Sequence, residues 1–420
     1  MSATDAAAAL AAGKLTSEAL VAACLERIRQ REDAVRAWAC IDSELALQQA
    51  RQRDKETPRS RLHGIPIGVK DVIDTCDLPT EYGSPIYPGH RPAGDAACVA
   101  QVRELGGVIL GKAVSTEFAT RHPNKTRNPR NLAHTPGGSS SGSAAAVADG
   151  MVPIAFGTQT SASIIRPAAY CGVVGYKPTF GLLNRAGLKF LAESLDTLGT
   201  LTRTVADAAL IAEELAGMPA TSFAQVRNLR PRIGVCRTPY WNQADAASQA
   251  NFERAARTLT AAGATVVDVE LAGEFAALAD TQTTVSGYEF SRALTYERTR
   301  FPHLISASLT ARIAAGLEVT RAQYEAGQAL AGRCRASIAD TLRHYDALLA
   351  PSATGEAPHG LESTGDPVFG LMWSLLHLPC MTLPCGAGPA GLPLGVQVVA
   401  RHGNDSALFV HAEWLRRALD

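Results

Sequence analysis

The chain has 420 residues, of which 46% are hydrophobic and 19% are charged, and its 40 basic residues balance 40 acidic ones. This composition is typical of a globular protein with a substantial core, and it excludes the disordered and collagen-like classes. The balanced charge argues against nucleic acid or an anionic membrane as the main partner, so a small-molecule substrate is favoured.

Apolar periodicity predicts the secondary structure in chain order. Two helices at 6–31, broken at Gly13, and one at 45–53 come first. A buried strand at 65–69 then ends on Lys70, and a helix at 95–105 and a strand at 107–110 follow it. In the second half, helices are predicted at 204–216, 246–262, 366–376 and 405–419. Strands are predicted between them at 232–236, 265–269, 347–350, 380–383 and 394–399. Residues 276–345 are mainly helical. Since no repeat or linker interrupts this order, we expect one large α/β domain.

Cysteine usage and the N-terminus indicate the compartment. The nine cysteines form an odd count without a CxxC pair, which favours reduced thiols over a disulfide framework or a zinc site. The N-terminus has no basic region ahead of an apolar core, and no run approaches the ~20 apolar residues of a membrane span. We expect a cytoplasmic protein with no membrane partner.

Small residues are unusually dense between Thr135 and Thr179. A turn with three serines and two glycines precedes an apolar strand, and a second small-residue turn ends on Ser163. Small side chains let backbone N–H groups approach a bound group closely. We interpret this stretch as the floor of an active site.

Lys70, at the end of its strand, is a candidate general base, because burial disfavours the ammonium form of a lysine. It would need one hydroxyl as a relay and another as nucleophile, and the two serine-containing turns could supply them. A Ser-His-Asp hydrolase is the alternative, because residues 138–142 match GxSxG with Ser140 as nucleophile. That match does not follow directly from a strand, and it arises easily in a Ser/Gly run. Neither HExxH nor GxxxxGK[ST] occurs, so we expect no metal and no cofactor.

The segments GGSSSGSAAAVADG and GTQTSASIIRPAAYCGVVGYKPTFG resemble the signature of the amidase signature family of serine hydrolases. The similarity extends to GIPIGVKDVIDT, LDTLGTLTRTVADAALI and LPLGVQVVAR. The resemblance implies a mixed β-sheet enclosed by α-helices and a Ser-cisSer-Lys triad. In this sequence the triad is Ser163 as nucleophile, Ser139 as bridging serine and Lys70 as base. The implied oxyanion hole consists of the backbone amides of Thr160, Ser161, Ala162 and Ser163.

We expect a single amidase domain at residues 1–420 that divides into four parts. Residues 1–60 form an N-terminal helical cover, and 61–220 form the catalytic signature core. Residues 221–345 form a variable, mainly helical region that shapes the pocket. Residues 346–420 complete the core with strands and a helix.

This chain departs from the family pattern around the nucleophile. Ser161 and Ala162 stand where glycine is usual before the nucleophile, Gln159 replaces a common aspartate, and Arg166 follows Ser163 one residue later than in many members. The last two features resemble the malonamidase-like branch, whose arginine binds a substrate carboxylate. Gln159 and Arg166 are therefore candidates for substrate binding, with a structural role for Arg166 as an equal alternative.

We therefore expect an amidase that hydrolyses the C–N bond of a small amide, with a carboxylate-bearing substrate among the options. Three alternatives stay open: a carbamate (urethane) or aryl-amide hydrolase on the same triad, the A-type subunit of an amidotransferase, and a non-catalytic binding protein on the same fold. The expected partner is the small-molecule amide, and a homodimer remains open.

Overall fold

The computed structural model describes residues 1–420, and its centre is a single eleven-stranded sheet. The strands are β1 (Trp38–Cys40), β2 (Pro66–Lys70), β3 (Val108–Ala113), β4 (Ile154–Gln159), β5 (Val174–Lys177), β6 (Thr197–Thr202), β7 (Arg232–Val235), β8 (Thr265–Asp268), β9 (Ala347–Pro351), β10 (Cys380–Ala387) and β11 (Pro393–Val399). They lie in the order β1-β3-β2-β4-β6-β5-β10-β11-β9-β7-β8. Pairing is parallel where β2 meets β3 and β4, and where β7 meets β8 and β9, and it is antiparallel elsewhere. The sheet is therefore mixed.

Fourteen α-helices surround the sheet. They are α1 (Ala3–Ala11), α2 (Ser17–Val35), α3 (Ser43–Arg53), α4 (Ala97–Glu104), α5 (Ser141–Ala148), α6 (Ile165–Cys171), α7 (Val205–Ala216), α8 (Ala246–Ala261), α9 (Leu278–Ala293), α10 (Thr295–Arg300), α11 (Ala307–Glu318), α12 (Arg321–Thr341), α13 (Val368–Leu375) and α14 (Asp405–Leu419). Several begin at a side-chain cap, as in α7, where the Thr204 hydroxyl accepts from the backbone N–H of Asp207.

Burial explains why the sheet needs helices on both faces. Strands β2, β3, β4, β6 and β9 are buried along their whole length. A strand whose two faces are both buried reads as a continuous apolar run and must be covered from both sides. This architecture confirms the α/β fold predicted from the sequence. No helix is both long enough and apolar enough to cross a membrane.

Five elements near the site have no counterpart among the predicted elements: β1, β5, β6, α5 and α6. Strands β1 and β5 have only three and four residues, too short for a periodic signal. Strand β6, TLGTLT, contains a glycine, and helix α6 has a proline at its third position. Glycine is a weak strand former and proline a weak helix former, so tertiary packing overrides local propensity at these residues.

The buried carboxylate of Asp405, at the start of α14, connects this helix to the sheet. It accepts hydrogen bonds from the Tyr176 hydroxyl at 2.7 Å and from the backbone N–H of Thr179 at 2.9 Å. The Thr179 hydroxyl also donates to this carboxylate. Asp405→Ala leaves all three donors buried and unpaired, so we expect the free energy of unfolding to fall by about 2–4 kcal/mol. Chemical denaturation measures this loss. Asp268→Ala, which removes only the exposed ion pair with Arg237, should cost less than about 1 kcal/mol; an equal loss in both variants would contradict the prediction.

Candidate active site

Lys70 ends β2 in the interior of the protein, with none of its side chain exposed. Its Nζ lies 2.7 Å from Ser139 Oγ and 2.8 Å from Thr158 Oγ1. Thr158 belongs to β4, which pairs with β2, so sheet pairing carries this hydroxyl to the lysine. Ser139 lies in the turn before α5, and the peptide bond between Gly138 and Ser139 is cis. The structure thus brings Lys70 and Ser139 into direct contact across 69 residues of chain.

Burial lowers the pKa of the Lys70 amine from 10.5 to about 7, with Asp196 acting in the opposite direction. Desolvation disfavours the ammonium form because a charge loses its hydration in the interior. No carboxylate lies within ion-pair distance of Lys70 to reverse this effect. A substantial fraction of the amine is therefore neutral near pH 7, where it can accept a proton.

Ser163 lies in the turn after β4 and lines a pocket, with 9% of its surface exposed. The backbone N–H of Ser140 donates to the carbonyl oxygen of Ser163 at 3.3 Å, which holds the two serine-containing turns side by side. Ser140 itself is fully buried, and its hydroxyl bonds to the backbone of Thr158. Ser140 does not line the pocket, so the geometry disfavours the GxSxG alternative.

None of the four backbone N–H groups from Thr160 to Ser163 donates to another protein atom. The carbonyl oxygens of residues 160–162, in contrast, accept hydrogen bonds from neighbouring helices. Gln282 of α9 donates to the Thr160 oxygen at 2.9 Å, and Ser374 of α13 donates to the Ser161 oxygen at 2.7 Å. A backbone N–H in the first turn of α6 donates to the oxygen of residue 162 at 2.9 Å. With the carbonyls fixed in this way, the free amides are available to a ligand, as an oxyanion hole requires.

Ala162, where the family pattern has glycine, has a negative φ, so the turn does not need glycine's conformational freedom at this position. Its methyl group occupies space that Gly370 of α13 leaves open. A Cβ built on Gly370 would lie 2.5 Å from the Ala162 Cβ and 2.6 Å from the Ser161 oxygen. The extra methyl group at 162 is thus accommodated by the absence of a side chain opposite it.

We expect Gly370→Ala to displace the turn and lower kcat by at least about ten-fold, since a real Cβ cannot remain this close to the turn. Steady-state kinetics with a hydrolysed amide measures the loss. Gly332→Ala in α12 is the matched control, because its Cβ would meet nothing within 4 Å. This control should keep its activity and gain up to about 1 kcal/mol of stability. A fully active Gly370→Ala variant would contradict the prediction.

Gln159, predicted as a candidate for substrate binding, is buried and is not among the residues that line the pocket. Its Oε1 accepts from the backbone N–H groups of Ile164 and Ile165 at 2.9 and 3.1 Å. Its Nε2 donates to Ser374 Oγ at 3.1 Å. These contacts favour a structural role in shaping the chain around the nucleophile, and a glutamine provides both the donor and the acceptor that this position needs.

Arg166 lines the pocket, where its two terminal nitrogens donate to the protein and its Nε has no protein partner. It donates to the backbone oxygens of Gly365 at 2.6 Å and Gly138 at 2.8 Å, and to Thr364 Oγ1 at 3.1 Å. Burial lowers the pKa of the guanidinium to about 10. Of the two roles open to Arg166, these contacts favour the structural one, in which it supports the segment that leads into Ser139.

Residues from the middle of the chain close the pocket. Helix α9 contributes Ser286 and Phe290, and α11 contributes Arg312. The Arg312 guanidinium lies over the Phe290 ring, 4.8 Å from its centroid, and Arg121 lines the same pocket. Neither arginine forms an ion pair or a side-chain hydrogen bond with the protein. Sequence reasoning missed Arg312, and its helix carries no motif that would have signalled it.

Cys76, Asp77 and Asp95 form the one cluster whose atoms lie close enough together to share a metal ion. Both aspartates already pair with Arg103, at 2.7 and 2.8 Å, and none of the three residues lines the pocket. This geometry gives no role to a metal at the site.

Comparison with known proteins agrees with this geometry. A family model described as Amidase matches residues 19–409. The chain belongs to the amidase family. Among curated relatives, the A-type subunit of the glutamyl-tRNA(Gln) amidotransferase from Anaeromyxobacter sp. (strain K) is 33% identical over 469 residues, covering 99% of this chain and 95% of that protein.

Two solved structures share the whole architecture of this amidase-family chain. A crystal structure of an amidase superposes with a TM-score of 0.90 at 30% identity, and covers 100% of both chains. The native peptide amidase from Stenotrophomonas maltophilia superposes with a TM-score of 0.84 at 30% identity, over 100% of this chain and 97% of that one. The similarity to the amidase signature family is thus confirmed over the full chain.

Proposed function

We propose that this chain hydrolyses the C–N bond of a small, carboxylate-bearing amide through an acyl-enzyme on Ser163. The observation that carries the proposal is the 2.7 Å contact between Lys70 and Ser139 beside a pocket lined by Ser163. A buried lysine with a pKa of about 7 is poised as a general base at neutral pH.

The proposed reaction proceeds in two halves. Neutral Lys70 accepts the Ser139 proton while Ser139 accepts that of Ser163, and Ser163 Oγ attacks the amide carbonyl. The backbone amides at 160–163 stabilise the oxyanion, and each such donor typically contributes about 3–4 kcal/mol to transition-state stabilisation. The relay then returns the proton to the nitrogen, which leaves as ammonia or an amine. Water attacks the acyl-enzyme by the same relay and releases a carboxylic acid.

A fluorophosphonate probe should label Ser163, and Ser163→Ala should abolish labelling and turnover together. Lys70→Ala should lower kcat by about 10²–10⁴-fold because it removes the base. Mass spectrometry of the labelled peptide and an ammonia-release assay measure these effects. Ser140→Ala is the matched control and should keep its label. Labelling that survives Ser163→Ala but disappears in Ser140→Ala would support the GxSxG alternative instead.

The preference for a carboxylate rests on Arg121 and Arg312. No acidic residue lines the pocket. Burial lowers the pKa of Arg312 and of Arg166, and Arg121 lowers both further, so the three cations lie within electrostatic reach of one another. Bringing like charges together without a counter-ion is unfavourable, and a substrate anion would relieve it. The Arg312 guanidinium lies over the Phe290 ring and has no hydrogen-bond partner in the protein, so its N–H groups are available for the two parallel hydrogen bonds that a carboxylate accepts.

Arg312→Gln should lower kcat/KM for malonamate and succinamate by about 10–100-fold, since a charge-assisted hydrogen bond is lost. The neutral counterparts propionamide and butyramide should change less than about three-fold, because they offer no anion. Arg292→Gln is the matched control, because its guanidinium also lies over an aromatic ring, that of Tyr288, but outside the pocket. Equal effects on charged and neutral amides would contradict the assignment.

A second candidate is the A-type subunit of an amidotransferase. The 33% identity to such a protein, which serves glutamyl-tRNA(Gln), extends over 99% of this chain and favours it. Purification of the chain at its natural expression level decides between the two. A chain that hydrolyses amides without a partner protein supports the amidase, whereas activity that requires a co-purifying protein supports the amidotransferase.

Carbamate and aryl-amide substrates belong in the same assay, because the pocket and not the triad selects the leaving group.

We also propose a cytoplasmic location. All nine cysteines are unpaired, and seven of them are buried. Free thiols in this number are typical of a reducing compartment.

A further inference from the structure

A carboxylate that belongs to no predicted site residue lies buried between the oxyanion turn and the pocket wall. It is Asp196, with 6% of its surface exposed, immediately before β6. Strand β6 pairs with β4 with Gln159 opposite Thr197, so the sheet holds Asp196 beside the turn that follows β4.

Each oxygen of this carboxylate holds a different part of the pocket. Oδ1 accepts a short hydrogen bond from the Thr160 hydroxyl in the oxyanion turn. Oδ2 accepts from the backbone N–H groups of Leu191 and Ala192 at 2.8 and 3.1 Å. Thr160, Leu191 and Ala192 all line the pocket. Asp196 therefore connects the turn that carries the oxyanion donors to the part of the pocket wall formed by Leu191 and Ala192.

The charge of Asp196 also reaches the triad. Lys70 makes its direct hydrogen bonds to the hydroxyls of Ser139 and Thr158, which are uncharged. Two residues after Thr158, the Thr160 hydroxyl bonds to Asp196, so this carboxylate lies close to the lysine without pairing with it. It raises the pKa of Lys70 against the larger effect of burial. When the relay delivers a proton to Lys70, Asp196 is therefore an opposite charge near the new ammonium.

Other titratable groups face Asp196 from the elements around it. Burial raises the Asp196 pKa, as does Glu289 of α9, whereas the three hydrogen bonds favour the charged form. Arg185 donates to the backbone oxygen of Asp196 at 2.9 Å, not to its carboxylate. His377 bonds to the Ser194 oxygen at 2.8 Å, and burial lowers its pKa to about 3, so it stays neutral in the working pH range.

We propose that Asp196 is a positioning residue for the amidase reaction, which holds the oxyanion turn through Thr160 and supplies the counter-charge for the Lys70 ammonium. This inference rests on the proposed function. Asp196 touches neither substrate nor reacting atoms, so its effect on the reaction passes through Thr160 and Lys70. A buried charge that stabilises a transient ammonium without bonding to it leaves the amine free to exchange protons with Ser139.

Asp196→Asn separates the charge from the hydrogen bonds. The amide oxygen can still accept from Leu191 and Ala192, and the amide nitrogen can donate to the Thr160 hydroxyl. Loss of the charge makes the Lys70 ammonium less stable and lowers its pKa. The acidic limb of the kcat/KM profile, expected near pH 7 in the wild type, should therefore move down by about one pH unit. Relative to its own plateau, the variant should thus be more active than the wild type at pH 6.

Asp207→Asn is the matched control, because Asp207 is equally buried and bonded to Thr4 but does not act on Lys70. Its acidic limb should stay in place. Thr160→Val tests the role of Asp196 in holding the oxyanion turn, since it removes the hydrogen bond from Thr160 to Asp196 and keeps the charge of Asp196. We expect it to lower kcat by about ten-fold, with KM changed less than two-fold and the acidic limb unmoved.

A uniform loss of rate in Asp196→Asn at every pH, with the limb unmoved, would overturn the counter-charge role. Full activity of Thr160→Val would overturn the role in holding the turn. A wild-type chain that hydrolyses no amide and takes no fluorophosphonate would instead refute the proposed function. In that case the counter-charge role of Asp196 is tested by measuring thermal stability as a function of pH. Asp196 stabilises Lys70 only when the lysine is charged, and Lys70 becomes charged as the pH falls. The Tm of Asp196→Asn should therefore fall further below that of the wild type as the pH decreases from 8 to 6. A Tm difference that stays constant over this range would overturn the inference.

Discussion

The contact of Lys70 with Ser139 and Thr158 is the interaction on which the site depends. An amino group at the centre of a sheet loses its hydration, and hydroxyl partners satisfy it without stabilising its charge as a carboxylate would. The required geometry spans three segments: β2, the turn before α5, and β4. Pairing of β2 with β4 supplies Thr158, and the turn that enters α5 supplies Ser139. The basicity of the lysine is therefore a property of the assembled sheet.

The oxyanion turn shows the same dependence on distant parts of the chain. Its amides are free because its carbonyls are held by donors on α6, α9 and α13, and because Asp196 fixes its first residue. A turn with side chains at positions usually taken by glycine is tolerated because Gly370 on the facing helix leaves room. Positioning of the amides is thus shared among several helices, and the helical middle of the chain contacts this turn as well as lining the pocket.

The two arginines of the pocket differ in their protein contacts. Arg166, close to the nucleophile in sequence, donates to the backbone that leads into Ser139. Arg312, on a helix that closes the pocket, lies over Phe290 and has no hydrogen-bond partner in the protein. In our proposal it is therefore Arg312 that binds the substrate carboxylate. Changes in α11 could therefore alter specificity while the triad stays the same.

The sequence by itself determined the α/β class, most of the longer elements and the family, because apolar periodicity and small-residue turns are local patterns. It also singled out Lys70, Ser139 and Ser163, which stand in motifs with few chemical alternatives. Only the tertiary structure decided which groups Gln159, Arg166 and Asp196 contact. A polar side chain of this kind can hold backbone groups, bind a ligand or balance a charge, and the sequence around it is the same in each case. Its partners come from remote elements, so burial and contact in the folded chain decide which of these it does.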